Sequence, residues 1–222
     1  EEVRRWASQH LNVEIGLALH GDRWRGADFW ESAVEPGLSF EALLDRCDVI
    51  VAGVDGGGLD DLYGLALLGR DRDTRDWLLW CRAWVQRDVL EIRKDIAERL
   101  RDFDAQGDLV LCDTPTQDVE DIALLLDQVR QRGLLPERLA IGLDPVGIAA
   151  LVEALDNIGI TSDQMIAVPQ GYRLSSAVWG AERKLKDGTL RHAGQPLMAW
   201  CVGNAKVEQR GNAVLITKQT AG

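Results

Sequence analysis

The chain has 222 residues, 46% of them apolar, and a formal net charge of −11. That is enough apolar material for one large domain, or one domain with a substantial extension, and it excludes global disorder. No apolar run approaches the ~18 residues of a membrane span, and Glu1-Glu2-Val3-Arg4-Arg5-Trp6 lacks the basic-then-apolar order of a signal peptide.

Residues 1–46 intersperse Trp6, Trp24, Phe29 and Trp30 with Arg23, Arg25 and Asp28, and no period of 2 or 3.6 emerges. They read as a connector that packs onto something. Three strands follow, at 49–55, 63–69 and 77–85, with Asp71-Arg72-Asp73-Thr74 as a polar turn between the last two. Short connections between adjacent strands predict an antiparallel meander. Val89, Ile92, Ile96, Leu100 and Phe103 then fall on one helical face. Leu109 to Cys112 is a short strand. Thr116 is placed to cap a second helix carrying Val119, Ile122, Leu125, Leu126 and Val129, with Gly133 just past its end.

Leu139 to Leu143 reads as a buried strand ending in Asp144, and Pro145 opens a third helix through Val152 and Leu155 to Gly159. Met165 to Val168 is the next strand. Residues 173–187 are helical, and Leu190 to Thr217 reads as strands and turns. Strands followed by alternating helices and strands define an α/β protein with a mixed sheet. There is no internal repeat and no flexible linker.

Cys47, Cys81, Cys112 and Cys201 are widely spaced and form no Cys-x-x-Cys pair. Without an export signal they read as reduced thiols of a cytosolic protein rather than as zinc ligands. Charge is unevenly spread: residues 172–222 hold 8 Lys/Arg against 3 Asp/Glu, whereas residues 1–171 hold 17 against 33. A basic stretch on an acidic body attracts a polyanion locally whatever the total. Lysines that protect sheet edges account for the same pattern equally well.

Asp55 carries the chemistry. It ends the apolar run Val49 to Val54 and opens onto Gly56-Gly57-Gly58, with Asp60 and Asp61 before the next strand. An acid there stands at the rim of the sheet, and the glycines let a ligand approach the backbone. The same letters also describe an ordinary Asp-Gly hairpin. Asp144 repeats the arrangement at the end of a second buried strand. In open α/β sheets ligands gather at these carboxyl ends, and converging carboxylates suit Mg²⁺ or Mn²⁺, hard ions that prefer oxygen. Asp144 before Pro145 is equally a good helix cap. Asp113, ending another short strand, competes as the second acid. Other chemistries lack material: there is no phosphate-binding Gly-x-x-x-x-Gly-Lys-Ser/Thr loop, no dinucleotide fingerprint and no Gly-x-Ser-x-Gly elbow. Only His10, His20 and His192 are available, and His192, beside Arg191, reads as a contact for phosphate or solvent.

Three segments together resemble one family. Gly53-Val54-Asp55 with Asp61-Leu62-Tyr63-Gly64-Leu65 is similar to the first acidic strand of the C-terminal nuclease half of large terminase subunits of tailed bacteriophages. Ile141-Gly142-Leu143-Asp144-Pro145 is similar to its second, and Leu190-Arg191-His192-Ala193-Gly194-Gln195-Pro196 with Trp200 and Asn204 to the stretch leading to its last acidic helix. The likeness spans roughly residues 49–218. It implies an RNase H-like fold, a mixed β-sheet flanked by helices. It also implies an endonuclease that uses two Mg²⁺ or Mn²⁺ ions to cut concatemeric double-stranded viral DNA during packaging. Carried over, Asp55 and Asp144 are catalytic metal ligands and Asp61 stands near the metals. Residues 1–46 become the connector from an N-terminal ATPase domain, and 47–222 the nuclease domain. The family's third acid lies in a helix after the final hairpin, expected to begin where the chain stops at Gly222. The implied partners are duplex DNA, the ATPase domain, the portal and the small terminase subunit, with no membrane, in the cytoplasm of the infected or lysogenic host. From charge alone, Arg173, Arg183, Lys184, Lys186, Arg191 and Lys206 are candidates for the DNA backbone. No recognition helix stands out, so little sequence preference is expected.

Two rivals remain. The loop after Asp55 also resembles the phosphate loop of actin-like sugar kinases, but the second Asp-Gly-Thr loop those proteins need is absent. The other is a non-catalytic module that docks on DNA or the portal, in which the acids only cap structure.

Overall fold

Apolar residues alternating with small ones between 47 and 86 build the centre of a mixed sheet. A computed structural model describes residues 23–56, 61–145 and 147–218. Strands β1 (Cys47–Asp55), β2 (Tyr63–Asp71) and β3 (Trp77–Gln86) pair antiparallel, as the short connections predict. β4 (Leu109–Cys112) lies parallel to β3, β5 (Ile141–Leu143) parallel to β1, and β6 (Met165–Ala167) parallel to β5. The order is β4-β3-β2-β1-β5-β6. β7 (Leu190–His192) takes the other end of the β3 edge that β4 uses. β8 (Ala205–Arg210) and β9 (Ala213–Lys218) form a separate hairpin.

The longer helices divide between the two faces of the sheet. Among the described residues the α-helices in chain order are α1 (Ala27–Trp30), α2 (Phe40–Arg46), α3 (Val89–Ile92), α4 (Ala97–Ala105), α5 (Gln117–Gln131), α6 (Ala149–Asn157), α7 (Ser175–Asp187) and α8 (Pro196–Gly203). Helices α2, α5 and α6 cover one face, packing Leu43, Ile122, Leu126 and Leu151 on Ile50, Leu65, Trp84 and Ile141. On the other, α7 and α8 join Trp24, Trp30, Leu185, Leu190 and Val202 against Leu68, Trp77 and Leu79. Trp24 and Trp30 from the aperiodic N-terminal segment are thus buried in this layer. A third cluster under α3 and α4 holds Val85, Leu100, Phe103 and Leu109.

Several local expectations are corrected. The helix foreseen from Val89 to Phe103 is two pieces; Arg93 leaves the helical region and Ile92 is exposed, so each piece buries its own apolar residues. Thr116 occupies the cap position, but its hydroxyl donates to Glu120 Oε1 at 2.8 Å and caps no backbone group. Pro196–Gly203, expected as strand and turn, is helical with Pro196 in its first turn.

His192 is not a surface contact. It is 3% exposed and stacks on Trp30, with ring centroids 3.8 Å apart. Its Nδ1 accepts from the Gly194 N–H at 3.1 Å, which leaves Nε2 as the protonated nitrogen donating to the Trp30 carbonyl at 2.7 Å. Gly194 has a φ of +69°, and a Cβ there would meet Val34 at 2.9 Å, so only glycine fits beside the ring. Burial pulls the His192 pKa below its ordinary value, outweighing the bond to Trp30. Below the unfolded value of about 6.5 the unfolded chain takes up a proton that the native state refuses. The urea midpoint should therefore fall as pH drops from about 7.5 to 5.5, and His192→Gln should flatten that fall. A decline of equal steepness in the variant contradicts the neutral, buried assignment. Asp71, whose carboxyl is held low by the Thr74 and Asp73 N–H groups and Arg46 against its burial, titrates in a more acidic window.

Candidate active site

The parallel pairing of β1 with β5 sets the site. Ala52, Gly53 and Val54 face Ile141, Gly142 and Leu143, and the Asp144 N–H donates to the Val54 carbonyl at 3.3 Å. Asp55 and Asp144 therefore leave adjacent strands at the same rim, one position past the paired residues. Asp144 caps no helix: Gly147, at a φ of +76°, interrupts the chain, and α6 begins only at Ala149 with Ile148 at the cap position. Asp144 is therefore not the cap residue of α6. Asp113 stands apart from this pair: it follows β4, an edge strand separated from β1 by β3 and β2, and is ion-paired to Arg87 at 2.6 Å.

Beside the two acids lies a cleft of about 670 Å³ lined by Asp55, Asp61 and Asp144. Its floor follows from the register. Asp55 pairs with Gly64 and Gly64 with Ala83; Gly53 pairs with Ala66 and with Gly142, and Ala66 with Cys81. Paired residues share a face, so this half of the sheet is paved with glycine, alanine and cysteine. Larger side chains would fill the space: a Cβ on Gly142 already meets Val168 at 2.8 Å. Asp61 stands on the wall, its Oδ1 accepting from the Leu62 N–H at 2.9 Å. Gln170, Leu197, Met198 and Cys201 complete the lining. The last three come from α8, which the sequence pattern had not revealed.

A single glutamine seals the sheet under this cleft. β4 pairs with β3 from Ala83 onward and β7 up to Leu79, which leaves Cys81 between them. Gln195 fills the gap. Its Oε1 accepts from the Cys81 N–H at 2.8 Å and its Nε2 donates to the Cys81 carbonyl at 2.5 Å, as a strand neighbour would. The buried Asp108 accepts from Gln195 Nε2 and from the Leu197 N–H, both at 3.1 Å, and so fixes the start of α8. Packing here pushes the Cys81 thiol up to about 12, chiefly through desolvation. None of the four cysteines forms a disulfide among the described residues.

The basic candidates separate. Arg173 is exposed on the turn before α7, and Arg183 and Lys186 are exposed on α7 itself. Lys184 lies over the Trp77 ring, 5.7 Å from its centroid. Lys206 is half-buried on β8. Arg191 is not brought to the cleft: it pairs in register with Leu78, on the opposite face from Ala83, and is held by Glu35 at 2.9 Å.

The acids suit a hard divalent cation. Among the described residues no group of three His, Cys, Asp or Glu side chains is placed to hold a metal. Mg²⁺, however, is commonly held by one or two carboxylates, with water and substrate phosphate completing its shell. Asp55 and Asp144 at one rim supply two, beside an open cleft with room for a phosphate.

No protein-family model and no curated protein matches the sequence. Solved structures match in fold. The large terminase of bacteriophage HK97 aligns over 84% of this chain with a TM-score of 0.63 and 21% identity, and the chain spans 40% of that protein's length. The large terminase nuclease of thermophilic phage G20c aligns over 91% of both chains with a TM-score of 0.53 and 12% identity. Its magnesium-bound form gives 0.52 and 13%. The chain thus has the fold of large-terminase nucleases, an RNase H-like mixed sheet flanked by helices.

The edge seal has a measurable consequence. Gln195→Leu leaves the Cys81 N–H and carbonyl without their partners, at a cost of about 2 kcal/mol, and loosens α8 over the cleft. Urea unfolding should report that loss, and hydrogen exchange should show faster opening at Cys81. Stability within about 0.5 kcal/mol of the parent, a typical surface value, contradicts the role given to Gln195.

Proposed function

We propose that this chain is the nuclease domain of a phage DNA-packaging terminase, a metal-dependent endonuclease acting on double-stranded DNA. One observation carries the reading: β1 and β5 run parallel and in a register that sets Asp55 and Asp144 side by side at the mouth of an open cleft. The fold shared with large-terminase nucleases supports it.

In this reading Asp55 and Asp144 hold Mg²⁺ or Mn²⁺, two ions in all, and Asp61 contributes from the cleft wall. When bound, the ions supply Lewis acidity that favours a hydroxide nucleophile and stabilises the leaving oxygen of the phosphodiester. The chain's own residues do the positioning. The strand ends keep the two carboxylates fixed on the sheet, and the floor of small residues lets a sugar–phosphate backbone come down beside them. Gln195 and Asp108 keep α8 as one wall. Arg173, Arg183 and Lys186 supply sequence-independent attraction for phosphate, and Lys184 and Lys206 add to the positive charge of the C-terminal segment.

The domain organisation belongs to the same proposal. Residues 1–46 lead from an ATPase domain, with Trp24, Trp30 and α2 packed onto the sheet of the nuclease at 47–222, which works with the portal and the small subunit in the cytoplasm of the bacterial host. No described helix is long and apolar enough to cross a membrane.

Mn²⁺-dependent nicking of supercoiled plasmid tests the reaction. The parent should cut, and Asp55→Asn and Asp144→Asn should each remain folded but lose roughly a hundredfold or more, since removal even of groups that orient metal ligands costs 10–100-fold. Cutting that survives both changes sinks the site. A parent that never cuts yet binds duplex favours the docking module.

A further inference from the structure

Helix α7 has two unlike sides. Val178, Ala181 and Leu185 pack inward on Trp77 and Leu79, and Ser175 is buried where its hydroxyl donates to the Val214 carbonyl of β9 at 2.9 Å. The outward side presents Trp179, Arg183 and Lys186, four and three residues apart and hence on one face. Trp179 is 43% exposed, an unusual position for the largest apolar side chain on a helix with a buried side available. Of the two acids on α7, Asp187 is engaged by the Thr189 N–H and hydroxyl, and Glu182 lies beside the outward face.

The placement of the helix gives this face a direction. Gln170 lines the cleft, Arg173 follows on the intervening turn, and α7 starts at Ser175. Its 13 residues then run for about 20 Å at 1.5 Å per residue. An indole flanked by cations suits a ligand that is anionic on its ridges and apolar between them. Duplex DNA has that character, with phosphates outside and deoxyribose lining the minor groove. An acidic protein would match the cations but leaves no reason for a line that starts at the cleft.

We propose that Trp179, Arg183 and Lys186 form the rail on which the duplex lies as it reaches the cleft, with the Trp179 indole packed against deoxyribose in the minor groove. The inference rests on the nuclease reading above. It adds an apolar contact to the phosphate contacts and fixes the side from which DNA arrives. Contact with sugars rather than base edges gives grip without sequence preference.

Binding of a fluorescent duplex by the Asp144→Asn chain, in which cutting is expected to be lost, tests this across a salt series. Trp179→Ala should weaken binding about tenfold, the loss of a buried aromatic anchor at an interface, and leave the slope of log K against log salt unchanged. Arg183→Gln with Lys186→Gln should flatten that slope by about 2, close to 0.9 per phosphate contact. Circular dichroism confirms that each variant keeps its helix content. If the parent nicks plasmid but Trp179→Ala binds within roughly twofold of its background, or the double variant keeps the full slope, the rail is wrong and the nuclease stands. A parent that binds no duplex even at low salt overturns both.

Discussion

Three residues of parallel pairing between β1 and β5 are what the candidate site depends on. Ala52, Gly53 and Val54 find Ile141, Gly142 and Leu143 across a long stretch of intervening chain, and the Asp144 N–H closes the ladder onto Val54. Side chains alternate with a period of two, so a slip of one residue would send one carboxylate to the opposite face of the sheet. The register is held by the apolar side. Ala52, Val54, Ile141 and Leu143 are all buried under the α5–α6 layer, and displacing them would expose them to water. The geometry of two acids is thus set by the burial of their neighbours.

The second constraint lies on the β3 edge. Two short parallel strands share it end to end, and without Gln195 the Cys81 backbone would be left unpaired inside the protein. The side-chain amide restores the ladder, and Asp108 ties the same glutamine to the first turn of α8. Sheet closure and cleft wall are therefore one hydrogen-bonded unit. A small-residue floor needs such a wall, because glycine and alanine give the sheet little to pack against on that side.

Much of this was legible in the sequence. The meander announced itself through alternating apolar residues and short turns, and Asp55 through its place at the end of such a run. The floor could have been read from the same alternation, since Gly53, Gly64 and Ala66 occupy every second position. What failed did so for identifiable reasons. Asp144 looked like a cap because Asp-Pro usually is one; only the left-handed Gly147 and the partner strand decide otherwise. Helix α8 is apolar nearly all round, so it carries no helical stripe. Arg191 and His192 looked like surface residues by type. The stacked Trp30 ring buries His192 and the carboxylate of Glu35 engages Arg191, both partners more than 150 positions away.

Manganese binding measured by electron paramagnetic resonance tests the central claim most directly, because it reads the acids without DNA, partners or turnover. Titrated with Mn²⁺, the parent should remove free ion from the spectrum at saturable sites. The Asp55→Asn and Asp144→Asn variants should each lose that uptake while unfolding with the parent's cooperativity. Loss in both means the two strand ends act as one site. Uptake by both variants indistinguishable from the parent's would contradict the account and place any metal elsewhere on the chain.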